Sequence, residues 1–219
     1  MNQMIQRRTL GRLALGSLLL VGAAAAFVRP ALAADTDEAP DALVKRLSSD
    51  VLDTIKADKT IKAGDVNRIM QLVDTKIMPN VNLLRMTASA VGPAWRQATP
   101  EQQKRLEDAF KTLLVRTYAG ALDQVSDQTV FVRPFRGSPD DNEVLVRTEV
   151  KGSGDPVQLD YRLEKTPGEA GGWKIYNINV LGVWLVDTYR TQFAQQINAK
   201  GIDGLIAALE ARNKNNGKG

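Results

Sequence analysis

The sequence predicts an α+β fold: a four-stranded antiparallel sheet with one face covered by N- and C-terminal helices. Three observations carry this. Apolar residues recur at three- and four-residue spacing as far as about Leu122. The period then switches to two between Val130 and Val180, and it returns to helical spacing after Leu185. Short turns join the alternating runs, so the strands should form a meander.

The first 33 residues read as an export signal. Arg7, Arg8 and Arg12 form a positive start, Leu13 to Val28 is apolar, and Ala31-Leu32-Ala33 is a small-x-small cleavage site. The alternative is a buried N-terminal helix. Arg7-Arg8 fits a twin-arginine signal as well as an ordinary one. Residues 34–40 are small, acidic and Pro-containing, and are expected to be a flexible tail.

Asp41 is placed to cap a helix to about Asp58, with Leu43, Leu47, Val51 and Ile55 at strict i+4 spacing. Lys59 to Gly64 reads as a polar break. Asp65 can cap a second helix carrying Val66, Ile69, Met70, Val73 and Ile77, which Pro79 ends. A third helix covers Val81 to Val91, with Leu84 and Ala88 on one face, and Gly92-Pro93 interrupts it. Thr99-Pro100-Glu101-Gln102 combines an N-cap, a proline at the first helical position and the glutamine of a capping box. The helix it opens runs to about Leu122.

Strands follow at Val130–Phe135, Val144–Val150, Val157–Glu164 and Trp173–Val180, with turns at 137–142, 152–155 and 167–172. Gly182 permits a corner from the last strand directly into a helix bearing Leu185, Val186, Tyr189, Phe193 and Ile197. Gly201 breaks that helix, and Asp203 should cap a last one with Leu205, Ile206 and Leu209. Residues 213–219 are expected to fray as a disordered tail.

Composition narrows function. The chain has 29 basic and 25 acidic residues and a net charge of +4. The first 33 residues hold four of the arginines and no acid, so the remainder is balanced and gives no support for nucleic acid as a partner. There is no cysteine and no histidine. Ser-His-Asp and Cys-His nucleophiles and Cys/His zinc sites are therefore excluded. A carboxylate-only hydrolase would need paired acids in a pocket.

Three candidate sites remain. The first is the apolar space between sheet and helices, to be weighed against an ordinary core. The second is the set of arginines amid apolar segments, Arg85, Arg96, Arg116, Arg147 and Arg190, any of which could hold a phosphate or simply be solvated. The third is Asp140-Asp141 with Glu143, a metal or acid pair that turn propensity also explains.

Trp173-Lys174-Ile175-Tyr176, Gly182-Val183, Leu185-Val186, Tyr189-Arg190 and Phe193 together resemble the signature of the MlaC family, periplasmic phospholipid-binding proteins also called toluene-tolerance auxiliary components. Gly92-Pro93-Ala94-Trp95-Arg96, Thr99-Pro100-Glu101-Gln102 and Leu113-Leu114-Val115-Arg116-Thr117-Tyr118 look like a second block of the same family. The resemblance runs from about Asp41 to Leu209. The chain departs from it at Asn177, where an acid is expected, at Trp184, where a small residue is, and at Asn82-Leu83, where an Asp-aromatic pair is.

The resemblance implies a phospholipid-binding domain over 41–212 and a non-enzymatic monomer in the periplasm. Phospholipid would be its cargo, with no other cofactor and no metal. Its partners would be an outer-membrane lipoprotein–porin complex and an inner-membrane ABC transporter complex with its substrate-binding component. It would carry lipid between them and so maintain outer-membrane lipid asymmetry. The physics fits. At about 0.8 kcal/mol per methylene, an acyl chain of about 14 methylenes costs on the order of 11 kcal/mol in water, so a carrier must bury it. The expected cavity has Val132, Val146, Leu159, Tyr161 and Ile175 on the sheet wall. Leu84, Val91, Leu114 and Tyr118 oppose them, with Val183, Tyr189 and Phe193 at the corner. Competing readings are a nuclear-transport-factor-like enzyme with an acid-lined pocket and an adaptor with a filled core.

Overall fold

The computed structural model describes residues 38–215 except Pro139 and Ala170. The expected export signal, the first four residues of the expected N-terminal tail and residues 216–219 lie outside the described residues.

The first helix, α1 (Pro40–Ala57), starts two residues earlier than expected. Its cap position is Ala39, with no side-chain cap bond, and Pro40 opens the first turn instead of Asp41 capping it. Glu38, expected in a flexible tail, is held by Arg46 at 2.7 Å. The polar break contains a one-turn helix, α2 (Lys59–Lys62), because the Asp58 carboxylate accepts from Thr60 N and Ile61 N. Asp65 caps α3 (Val66–Leu72) as expected. The chain then loosens into a π-helical turn, Val73–Ile77, and a 3-10 turn containing Pro79.

Next, α4 (Leu83–Val91) is capped by Asn82, whose side chain accepts from Arg85 N. The capping box of α5 (Pro100–Tyr118) is formed in both directions: Gln102 N donates to Thr99 Oγ1 at 3.2 Å and Thr99 N to Gln102 Oε1 at 2.9 Å.

The sheet is an antiparallel meander of five strands in chain order, not four: β1 (Thr129–Val132), β2 (Glu143–Lys151), β3 (Val157–Lys165), β4 (Trp173–Val180) and β5 (Val183–Trp184). The first strand is shorter than expected, because Pro134 has no N–H to continue its ladder. The fifth strand lies within the corner. Leu181 and Gly182 both have positive φ, 51° and 89°, the backbone of a two-residue hairpin, so Val183 turns back to pair with Val180 before the helix begins.

The last helix, α6 (Leu185–Asn215), bends at Gly201, where φ is 69°. Asp203 does not cap its second half; its carboxylate instead accepts from Gln102 Nε2 at 2.8 Å. Residues 213–215, expected to fray, are its last turn. Asn213 is buried there, and its Nδ2 donates to Ala109 O at 2.9 Å.

Among the described residues, three apolar clusters hold the chain. In one, Leu43, Val44 and Leu47 of α1 lie on Val144, Val146, Tyr161, Leu163, Trp173 and Ile175, one face of the sheet. In another, α4, α5 and both halves of α6 enclose Phe110, Tyr189, Phe193, Leu205 and Ile206. The third joins Ile55, Ile61, Ile69 and Leu72 to Val115, Ala119 and Val125.

Candidate functional site

The sheet's two faces follow from its register. Val146 pairs with Tyr161 and Tyr161 with Ile178; Thr148 pairs with Leu159 and Leu159 with Val180. These residues and Val132, opposite Thr148, share the face that α1 covers. The other face carries Arg147, Asp160 and Asn179 in one row and Arg162 and Asn177 in the next. A bulge between Arg162 and Leu163 leaves Tyr176 without a register partner.

The expected apolar cavity between the sheet and helices α4–α6 is not shown. The sheet's apolar face meets α1, while α4–α6 close around a cluster of their own. The expected lining residues therefore divide. Val146, Tyr161 and Ile175 are buried under α1, with Val132 and Leu159 half-buried at the margin. Val91, Tyr189 and Phe193 are buried in the helical cluster, where Phe110 meets Tyr189 and Phe193 edge-on at 5.1 and 5.3 Å.

Leu84 and Val183 belong to neither cluster and are 55% and 50% exposed. Leu84 and Ala88 do share a face of α4, but that face points outward, since Met86, Thr87, Ala90 and Val91 are the buried set. Val183 is displaced by the hairpin. Trp184 pairs with Asn179 and so lies on the polar face, with the Arg162 guanidinium 4.0 Å from its ring centre. It neither fills nor covers the apolar side.

Leu114 and Tyr118, one turn apart on α5, occupy the flank between Leu113 of the helical cluster and Val115 of the third cluster. Neither is fully enclosed: Leu114 is half-buried and packs against the helical cluster, and Tyr118 is half-buried beyond it. Burial, and secondarily the nearby Tyr189, push the Tyr118 hydroxyl pKa up. Two further residues join clusters: Val81 packs against the helical and the sheet clusters, and Val51 against the sheet and the third. Neither is picked out as a lining residue by the sequence. For Val51 the signal is present, because the strict stripe Leu43-Leu47-Val51-Ile55 runs the length of α1.

Polar contacts fix how the sheet meets the helices. Arg85 on α4 binds Glu143 and Glu164 and stacks on Tyr176, 3.6 Å from the ring centre. Tyr176 Oη donates to Glu143, and Asn82 Nδ2 to Glu164. Burial opposes the Arg85 charge, yet the two carboxylates outweigh it and hold its pKa above the ordinary value. Arg85 in turn, with the Tyr176 hydroxyl, lowers that of Glu143. Glu143 is thus committed here and does not join Asp140 and Asp141, whose turn is closed by Ser138 N donating to Asp141 Oδ2. Among the described residues no group of three acidic side chains is placed to hold a metal ion.

Asn177 Oδ1 accepts from Val186 N at 3.1 Å and Ile178 N at 2.9 Å. It caps α6 from the neighbouring strand, a role an acidic side chain would serve equally. Among the described residues no helix is long and apolar enough to cross a membrane.

Comparison with known proteins places this arrangement. A phospholipid-binding protein from Ralstonia solanacearum, solved in complex with a phospholipid, superposes with a TM-score of 0.77 at 48% identity, covering 81% of this chain and 98% of that one. Toluene tolerance protein ttg2D of Pseudomonas putida is 30% identical over 82% of this chain and 81% of its own length. The intermembrane phospholipid transport system binding protein MlaC of Haemophilus influenzae is 24% identical over 80% of this chain and 82% of its own. The family model described as MlaC protein matches residues 45–211. This chain belongs to the MlaC family.

Proposed function

We propose that the protein is a soluble periplasmic carrier of phospholipid, which buries acyl chains and hands lipid between outer- and inner-membrane complexes. One observation carries the reading: a structural relative 48% identical to this chain was solved with a phospholipid bound. Its chemistry agrees with a sequence lacking histidine and cysteine, and no hydrolysis of the cargo is expected.

The acyl chains are assigned to the junction of the three clusters. The half-buried apolar side chains assigned to it are Val132, Leu159 and Ile178 on the sheet, Val51 on α1, and Leu114 and Tyr118 on α5. A side chain already closed on all sides must be displaced before lipid can touch it, whereas these need only part from one neighbour. Lipid at the junction would keep the sheet wall and the α5 wall of the expected site. It would leave Val91, Tyr189 and Phe193 as supporting core.

The test is native mass spectrometry of the purified protein. Co-purified phospholipid masses, released on unfolding, are the expected result. A protein that is lipid-free after purification, and that takes up none from vesicles, would leave the adaptor reading in its place. Steady release of free fatty acid in proportion to folded protein would refute the absence of hydrolysis.

A further inference from the structure

A groove of different chemistry lies between α5 and the end of α6. An open groove of ≈ 410 Å³ separates α5 from the last turns of α6, lined chiefly by Arg105, Asp108, Arg116, Glu210, Asn213 and Lys214. Two of the residues that line it carry unsatisfied polar atoms. Nε and Nη1 of Arg116 are buried and have no hydrogen-bond partner among the described residues, and neither has Asn213 Oδ1 on a residue only 9% exposed. The donor and the acceptor do not bond each other, although both line the same groove.

Buried guanidinium N–H groups without a partner are costly to keep, and native structures rarely leave them so. The neighbouring charges do not relieve them. Glu210 is taken by Arg105 at 2.8 Å and Asp108 by Lys104. The Asn213 amide is fixed in orientation, because its Nδ2 donates to Ala109 O. Its oxygen is therefore left open to a donor beyond the described residues.

Position in a helix's last turn explains why a cation stands here but not why its N–H groups are buried without an acceptor. Two demands coincide in one groove: an oxyanion for Arg116, with exposed Lys214 beside it, and a hydrogen-bond donor for Asn213. The carbonyl ends of α5 and α6 and the two paired carboxylates make the acceptor side favourable to a cation. A simple anion meets only half of this.

We propose that the groove binds a phosphate ester bearing a protonated amine on a short tether, with Arg116 on the phosphate and Asn213 Oδ1 accepting from the amine. Guanidinium geometry suits two phosphate oxygens at once, which a lysine cannot match. The site is separate from the cluster junction and does not depend on the cargo assignment. The same chemistry occurs in a free phosphoethanolamine ester and in a phosphoethanolamine lipid headgroup.

The test is an amide NMR titration of the full exported chain with O-phosphoethanolamine, and in parallel with inorganic phosphate, ethanolamine and glycerol 3-phosphate. Saturable shifts at Arg116, Asn213 and Lys214 are expected, with O-phosphoethanolamine binding at least about tenfold tighter than either phosphate or ethanolamine, as two contacts made by one ligand should give. Arg116→Gln should weaken it by a similar factor with the remaining spectrum unchanged, and Arg116→Lys should restore only part. Asn213→Leu should remove the preference over inorganic phosphate; should that variant lose its fold, ranking O-phosphoethanolamine above glycerol 3-phosphate on the parent protein tests the same contact. Given saturable binding, co-sedimentation with phosphatidylethanolamine vesicles that Arg116→Gln abolishes assigns the ligand to a lipid headgroup. Co-sedimentation unaffected by the variant assigns it to the soluble ester. Shifts that do not saturate, or that survive Arg116→Gln, would overturn the proposal and leave a groove filled by water.

Discussion

The helical cluster and the cluster junction are built from the same residue types but differ in how far each side chain is enclosed. In the helical cluster Leu106, Phe110, Leu113 and Ile206 are fully buried, and Phe110 is gripped edge-on by two other rings. Of the residues around the assigned junction, Val51, Val81, Leu114, Leu159 and Ile178 are only partly buried, and Val51 and Val81 each serve two clusters. On the proposed function, the difference separates core from cargo surface. A closed cluster gives its stabilisation to the fold alone, whereas partly buried apolar surface keeps a capacity for further burial.

Substitutions can break this contrast. A large effect is expected of Phe110→Ala, which should lower unfolding free energy by about 3–5 kcal/mol in denaturant titration and release lipid only as the fold is lost. A near-neutral result would mean that the helical cluster is not the core. Val146→Glu and Leu159→Asp sharpen the boundary. Val146 is 1% exposed, so its charge meets closed core and should unfold the protein at ordinary temperature. Leu159 sits at the margin, so its variant should keep most of its thermal stability and lose retained phospholipid. Equal collapse of both would erase the distinction.

Smaller effects test how the corner is held. Asn177→Ala removes the acceptor for Val186 N and Ile178 N and should cost about 1–2 kcal/mol, while Asn177→Asp should cost little, since the carboxylate still accepts both. Urea midpoints of the two variants decide it. The smallest effect is at Asp58. Its hydrogen bond from Arg68, helped by its capping bonds to Ile61 and Thr60, lowers its pKa from 3.8 to about 2. A depressed folded-state pKa means a contribution present above about pH 4 and lost as pH falls toward 2. Asp58→Asn should flatten that part of the acid-unfolding profile slightly, and an unchanged profile would mean the pair is fully screened.

Most of the fold was legible in the sequence. The Thr99 capping box, the Asp65 cap, the alternating strands and the Gly201 bend each depend on neighbouring residues, and local chemistry is what a sequence displays. Where the structure departs from expectation, the reason is physical. Leu181 is an unusual residue for a left-handed turn position, so the hairpin that makes β5 left no glycine or asparagine pair to announce it. The lining residues were harder. Periodicity shows that Leu84 and Ala88 share a face of α4 but not which way it points. Nor does it show that α1, whose stripe was plain, would take the sheet face expected to meet α4–α6. Arg116 was visible as a charge among apolar residues, but its lack of a partner emerges only when α6 is folded against α5.

The central claim is that acyl chains lie at the junction and not in the helical cluster. Loading the protein with a phospholipid that carries a photoreactive diazirine on its acyl chain, followed by irradiation and residue-level mass spectrometry, tests it most directly. Labels on Val51, Leu114, Tyr118, Val132, Leu159 and Ile178 are predicted. Labels concentrated on Phe110, Phe193, Leu205 and Ile206, with the junction unmarked, would contradict it.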